Sequence, residues 1–406
     1  MSRAGWKKLP SGRRLSDVVS VGLLTRVFPP DVVDEVIAES GRREQRHRWL
    51  PARVMTYFSV GMALHADGSY EDVLGLLTDG LAWADPDPDA EPLSLPSKSA
   101  IFQARDRLGA EPVAALFNRV ARPLATPATP GAWLAGRRLV AIDGTCLDVA
   151  DTAVNDEHFG RPGVNKGERS AFPQARVVAL AECATHAIFD AVVGPYTSPE
   201  NTLARELVGR LEPGMLVLAD RGFCGFPLWS RAAATGADLL WRAMPNMKPR
   251  HIETLADGTW LAELHPANNS PDRHADAVTI RVIDYQIDDG RTNDQTYRLF
   301  TTLLDPEVAP ATDLALAYAP RWEIESAFDE LKTHQRGPRT VLRSKSPDLV
   351  LQEIWGHLCC HFAIRTLMWE AADHAGIDAD RVSFVAALRI ARRSITAARD
   401  FPPSTR

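Results

Sequence analysis

Two aspartates each stand where a short apolar run ends: Asp143 in VAIDGT and Asp220 in LVLADRG. A carboxylate at the end of a buried strand is unfavourable unless it meets a partner or a metal. For either one alone, capping the next turn is the plain alternative, since glycine follows in both DG and DRG. Two such acids from one sheet carry more weight, because the carboxyl ends of neighbouring strands are where α/β sheets place their sites. The third piece is YAPRWEIESAFDELK, in which Tyr318, Arg321, Glu325 and Lys332 are separated by 3, 4 and 7 residues. On a helix that spacing gathers all four on one face, while Trp322, Ile324, Phe328 and Leu331 take another. Surface ion pairs would account for Arg321 with Glu325, but not for Tyr318 or Lys332. Pro320 interrupts the run, so the helix bearing Glu325 either starts there or is kinked.

The elements that must position these residues are legible from periodicity. Residues 16 to about 120 read as helices: LSDVVSVGLLTRVF, then DVVDEVIAES with Asp31 as N-cap, then LPARVMTYFSVGMALH and YEDVLGLLTDGLAW. A Pro- and Asp-rich loop spans 85–96. SKSAIFQARDRLG follows, with Ser97 as N-cap and Gly109 as its end; it reads either as a packing helix or as the second helix of a helix-turn-helix. After a second loop, 123–133, the pattern changes. RLVAIDG, RVVALAE, AIFDAVVG, MLVLADRGF and ADLLWRAM are short apolar runs that read as buried strands, with helices at 199–211 and in FPLWSRAAATG. This predicts an α/β core with a mixed sheet. TWLAEL, VTIRVIDYQI and YRLFTTLL, with Asp289-Gly290 as a turn, read as an antiparallel β insertion. From about 311 the chain is helical again, and no internal repeat is evident.

Composition is that of an ordinary globular protein, with 406 residues, 45% hydrophobic and 24% charged. It excludes collagen-like, coiled-coil and disordered classes. The basic N-terminus lacks the apolar core of a signal peptide, and 349–372 carries Glu353, His357, His361 and Arg365, a poor membrane span. Five scattered cysteines make no disulfide framework and point to a reducing, cytoplasmic home. The net charge of -6 argues against a nucleic-acid binder, yet the positive charge is clustered. Residues 1–14 carry five cations and no acid, 42–53 five Arg against one Glu, and 389–406 five Arg against one Asp. Between Lys332 and Pro347 lie Arg336, Arg339, Arg343 and Lys345 with no acid. Each cluster alone is a solvated surface; together they suggest polyanion contact.

The spacing Y-x2-R-x3-E-x6-K is the signature of insertion-sequence-4-type DDE transposases, which this chain resembles. AIDGTCLDVADT is similar to that family's first-Asp block and LVLADRGF to its second. SKSAIFQARDRLG resembles the end of its helical N-terminal domain, and LRSKSPDLVLQEIWGHLCCHFAIRTLM its C-terminal block. The resemblance covers roughly residues 16–395. It implies an RNase H-like core with a β insertion between the second Asp and the Glu. The implied division is a helical DNA-binding domain (1–122), the core's first part (134–244), the insertion (245–305), the core's second part with the Glu helix (306–372) and a C-terminal helical segment (373–406).

By the same resemblance Asp143, Asp220 and Glu325 form a metal-binding catalytic triad for Mg²⁺, with Mn²⁺ able to substitute. Tyr318, Arg321 and Lys332 would handle the DNA end, and Arg105, Arg343 and Lys345 are further candidates for DNA contact. Some members form a hairpin on the transposon end and flip a base onto an aromatic ring of the insertion; Trp241, Trp260 and Tyr297 are the candidates, against the alternative that each packs in the insertion's own core. The implied activity is cut-and-paste transposition by a homodimer on double-stranded DNA, its terminal inverted repeats and its target, in the bacterial cytoplasm and on the nucleoid when bound. The rivals are an RNase H-like nuclease without strand transfer and a catalytically silent DNA-binding remnant or repressor. No nucleotide cofactor is implied, since GxxxxGK and GxGxxG are both absent. His357 and His361, four apart, read as a packed helix rather than a zinc site, and Asp148, Asp151 and Asp156 as loop and cap residues.

Overall fold

The computed structural model describes residues 22–46, 48–84, 96–163, 169–266, 276–286, 296–337 and 340–394. The basic stretch 1–14, nearly all of the loop 85–96, the Asp289-Gly290 turn, Arg339 and the end of the basic segment 389–406 lie outside the described residues.

The N-terminal part is helical: α1 (Gly22–Val27), α2 (Pro30–Glu39), α3 (Ala52–Leu64), α4 (Tyr70–Ala84), α5 (Lys98–Leu108) and α6 (Glu111–Val120). Helix α2 starts at Pro30 with Pro29 as its N-cap, two residues before the expected Asp31 cap. Proline suits a first helical position, where its missing N–H has no partner to lose, and Asp31 then faces the positive end of the helix. Helix α5 is capped as read: the Ala100 amide donates to the Ser97 hydroxyl at 3.3 Å.

Among the described residues ten strands form one mixed sheet. They are β1 (Trp133–Leu134), β2 (Arg137–Asp148), β3 (Gln174–Glu182), β4 (Ile188–Pro195), β5 (Met215–Ala219), β6 (Asp238–Arg242), β7 (Arg250–Thr254), β8 (Trp260–Leu264), β9 (Val278–Gln286) and β10 (Thr296–Thr301). Their order is β4-β3-β2-β5-β6-β10-β9-β8-β7, with β1 on β2. Strands β2, β5 and β6 are parallel neighbours. Strand β10 joins β6 antiparallel, so the insertion extends the core sheet. Strand β7 escaped periodicity because RHIET is exposed along its whole length.

Side-chain alternation sorts the sheet's residues onto two faces. Leu139, Ala141, Leu216, Leu218 and Leu240 join the core shared with the N-terminal helices and the long C-terminal helix α12 (Pro347–Ala375). Val140, Ile142, Val217, Leu239 and Trp241 face the second core, under α8 (Glu200–Leu207) and α9 (Phe226–Ala233). A short helix α7 (Ala153–Phe159) follows β2, and α10 (Ala311–Tyr318), α11 (Glu323–Asp329) and α13 (Phe384–Ser394) complete the chain.

Helix α12 packs chiefly on α3 and α6. At its crossing with α3 a β-carbon on Gly356 would stand 2.6 Å from the Ser59 carbonyl oxygen, so only glycine lets the two backbones come this close. No helix among the described residues is long and apolar enough to cross a membrane.

Candidate active site

Register brings the two aspartates together. Ile142 of β2 pairs with Ala219 of β5 in parallel. The next residue on each is an aspartate. Asp220 stands just past the end of β5, whereas Asp143 lies within β2, which runs on to Asp148 against β3. The expectation that Asp143 ends its strand is thus corrected; only the pairing with β5 stops there. Each carboxylate accepts from a following glycine amide: Gly144 to Asp143 at 2.8 Å and Gly222 to Asp220 at 2.7 Å. Asp143 and Thr145, two apart, share the face of β2 on which α11 packs.

The signature segment does not run as one α-helix. Helix α10 ends at Tyr318, a 3₁₀ turn spans Ala319–Trp322, α11 follows, and a π-helical stretch covers Glu330–Gln335. Pro320 sits at the start of the 3₁₀ turn, where its missing N–H costs nothing. The four signature residues nevertheless all reach β2 around Asp143, the end of β5 or the cleft beside them. Arg321 reaches Asp143 at 3.4 Å and Glu325 at 3.2 Å, and Lys332 donates to the Thr145 hydroxyl at 3.1 Å. The Tyr318 hydroxyl donates to the Ala219 carbonyl at 3.2 Å. Tyr318 is buried, so this hydroxyl braces the helix end against β5 instead of standing ready for a phosphate. Burial also raises its pKa, keeping the phenol neutral.

Two carboxylates at the site, Asp143 and Glu200, are disfavoured as anions. Burial pushes Asp143 up to about 6, with Asp220 and Glu200 adding to the rise and the Gly144 amide and Arg321 opposing it. Glu200, the first residue of α8, is itself raised by burial and by Asp220. It is a fourth carboxylate at the site that sequence reasoning missed. A β-carbon on Gly144 would lie 1.9 Å from Glu200 Oε1, so the glycine after Asp143 makes room for it.

A set of hard oxygen donors that repel one another suits a divalent cation. The site thus fits the metal that the family resemblance implies. Among the described residues no three acids, histidines or cysteines already converge on one point. Arg321 instead lies between Asp143 and Glu325, and its Nε has no hydrogen-bond partner among the described residues.

Beside the acids opens a cleft of about 1250 Å³, lined by Asp220, Arg242, Tyr297, Tyr318, Trp322 and Glu325 among others. Tyr297 stacks on Tyr285 at 5.4 Å, and the Arg242 guanidinium lies 4.3 Å from its ring centre. Trp322 was expected on the apolar face with Ile324 and Phe328. The 3₁₀ turn rotates it outward, and it is 56% exposed in the cleft.

Several other expectations need correction. Trp241 is fully buried, edge-on to Trp229 at 5.3 Å, so it is closed to a flipped base. Trp260 stacks on His251 at 5.5 Å and does not line the cleft. Arg105 is fully buried and donates to Gln352, Tyr70 and Ser344, tying α5 to α12. It offers nothing to DNA. Arg343 is half-buried and donates to the Gly68 carbonyl at 2.7 Å, whereas Lys345 is exposed. The reading of His357 and His361 as packed helix residues needs no correction: both are buried, and they meet Gln335 and Glu330. Asp151 and Asp156 pair with Arg161, and Asp148 accepts from Gln174.

Comparison with known proteins agrees with this arrangement. The family described as Transposase DDE domain matches residues 134–363, and Insertion element 4 transposase N-terminal matches residues 18–118. Transposase InsG for insertion sequence element IS4, from Escherichia coli (strain K12), is 30% identical over 351 residues, 85% of this chain and 76% of its own. Putative transposase InsZ of the same organism is 26% identical over 253 residues, covering 58% of this chain and 81% of InsZ. Among solved structures, a piggyBac transposase synaptic complex with hairpin DNA gives a TM-score of 0.49 at 12% identity, over 92% of this chain and 79% of that one. The mixed sheet, with Asp143 on β2 beside Asp220 at the end of β5, is that of an RNase H-like core. The chain belongs to the insertion element 4 family of DDE transposases.

Proposed function

We propose that this protein binds the terminal inverted repeats of a mobile element, cleaves the DNA at its ends and joins those ends to target DNA. The observation that carries this reading is the register of β2 and β5, which sets Asp143 beside Asp220 under the helix bearing Glu325. Asp143, Asp220 and Glu325 would hold Mg²⁺, or Mn²⁺ in its place. When bound, a pair of such ions supplies an activated oxygen nucleophile and stabilises the leaving oxygen. Arg321 spans Asp143 and Glu325; with those acids engaged otherwise, its guanidinium would be available to a DNA phosphate. Lys332 anchors on Thr145, two residues beyond Asp143, and brings a second cation to the same strand. Phosphodiester exchange conserves bond energy, so no nucleotide cofactor is needed.

The aromatic cleft supports a hairpin route. Tyr297, backed by Tyr285 and Arg242, offers a ring face to a base turned out of the duplex. Two ends must be processed together, which calls for a homodimer on paired ends. The setting is the bacterial cytoplasm, with the protein on the nucleoid when bound.

The test is to incubate the full chain with labelled DNA carrying the element's ends, with Mg²⁺, beside Glu325→Gln. Metal-dependent cutting at the end that disappears in the variant, with joined products, supports the reading. Cutting without joining would make it a nuclease. Tight binding without cutting by either protein would make it a DNA-binding remnant.

A further inference from the structure

The loop between α2 and α3 curls against the last turn of α5 and encloses a recess of about 400 Å³. Five arginines line it, Arg42, Arg43, Arg46, Arg48 and Arg107, against a single acid, Glu44. That acid is spent: it accepts from the Ala52 amide at the start of α3. The recess is built, not incidental. Arg107 donates to the Leu50 carbonyl at 3.0 Å and Arg42 to the Arg107 carbonyl at 3.4 Å, which fastens the loop to α5.

Arg43, Arg46 and Arg48 are exposed and take no hydrogen-bonding or ion-pair partner among the described residues. Burial and the nearness of Arg48 both depress the Arg107 pKa. Like charges are thus gathered in one concavity, where Glu44 alone among the lining residues opposes them. A chain of net charge -6 repels a polyanion on average, so a concentrated cationic recess is what engagement of one requires.

We propose that this recess seats backbone phosphates of double-stranded DNA, docking the helical N-terminal part onto the duplex independently of base sequence. Guanidinium forks match phosphate oxygens in pairs, and contacts of this kind set position rather than sequence preference. On α5, then, it is Arg107 that faces the duplex, two residues beyond the buried Arg105.

The proposal rests on reading the chain as a DNA-acting protein, and its test separates the two. Binding of the full chain to a labelled end duplex and to an unrelated duplex is measured across a salt series, for wild type, Arg46→Gln/Arg48→Gln and Arg46→Lys/Arg48→Lys. The Gln pair is expected to weaken both duplexes alike, by roughly tenfold, and to lower the log–log salt slope by about 0.9 for each phosphate left without its cation. The Lys pair keeps the charge and is expected to recover most of the slope. Unchanged affinity and slope in the Gln pair would overturn the proposal. So would an equal loss in the Lys pair accompanied by a lowered melting temperature. Inorganic phosphate is the control for a free anion: if it stabilises wild type but not the Gln pair, while duplex binding is the same in both, the recess is a small-anion site and the DNA assignment falls. Metal-dependent cutting is followed in the same preparations. Cutting with undiminished duplex binding in the Gln pair removes the recess alone. Recess-dependent binding by a wild type that never cuts supports the recess and removes the catalytic reading alone.

Discussion

The carboxylate of Glu200 occupies the space that a β-carbon on Gly144 would fill, with Oε1 1.9 Å from that position. Gly144→Ala therefore forces Glu200 away from Asp143. The displaced group is the end of a flexible side chain, so the cost in stability is modest, about 1 kcal/mol. Truncating the neighbour as well, in Gly144→Ala/Glu200→Ala, removes the clash. Urea unfolding of the four proteins in this cycle should show the double variant more stable than the sum of the singles predicts. Strict additivity would mean that Glu200 does not lie over Gly144.

Asp143 gives a pH signature to the metal-free protein. Its carboxyl is held at about 6, against about 3.9 in an unfolded chain. Below pH ~4 it is protonated in both states and contributes no penalty. As pH rises through about 6 the folded protein must carry a buried carboxylate, and stability falls by up to ~3 kcal/mol. Asp143→Asn should therefore raise the midpoint of urea unfolding at pH 8 and leave it nearly unchanged at pH 4. A variant equally stabilised at both values would refute the assignment. The same proton competes with the cation, so Mn²⁺ uptake followed by electron paramagnetic resonance should weaken as pH falls below about 6.

The reach of the sequence can be judged from these same residues. Asp143 and Asp220 were readable because each follows a short apolar run that marks a buried strand, although β2 runs on past Asp143 to Asp148, and adjacent parallel strands need only register to bring them together. Glu200 was not. After Pro199 it looks like any acid in a first helical turn, and only the packing of α8 on β3 and β4 carries it to the site. Trp241 and Trp322 exchanged roles for a backbone reason. A tryptophan in a strand faces whichever side the sheet's neighbours fill, and the 3₁₀ turn at Pro320, with about three residues per turn, moves Trp322 off the helical stripe that α-helical spacing predicts. Arg105 misled because a charge on a short helix is usually solvated, and its partners lie some 240 residues away, at Ser344 and Gln352.

Arg105 should accordingly act through stability. Its guanidinium reaches Ser344, whose hydroxyl donates to Glu353, so a buried cation and anion are linked through one side chain. Arg105→Ala leaves the Gln352 amide oxygen and the Tyr70 and Ser344 hydroxyls without the donor they accept from. A loss of about 3 kcal/mol is expected, read by urea unfolding, and the folded fraction should bind duplex DNA with an unchanged salt slope. A variant of undiminished stability and reduced slope would return Arg105 to the DNA surface.

The three aromatic positions separate core from cleft. Trp241→Ala opens a cavity beneath Trp229 and should destabilise by about 3–5 kcal/mol. Trp322→Ala removes an exposed ring and should change stability by no more than ~0.5 kcal/mol. Tyr297→Ala sits between, since it gives up stacking on Tyr285 and the interaction with Arg242. If a base is turned into the cleft, Tyr297→Ala should weaken processing of the end by an amount equivalent to about 1–3 kcal/mol of stacking, while a first nick at the same end persists. An element end in which the base opposite the cleft is replaced by an abasic site provides the control. That substrate has no ring to stack, so wild type and Tyr297→Ala should process it at the same rate. A Tyr297→Ala defect that is equally large on the abasic end would assign the ring to the packing of β9 and β10, with no base to receive.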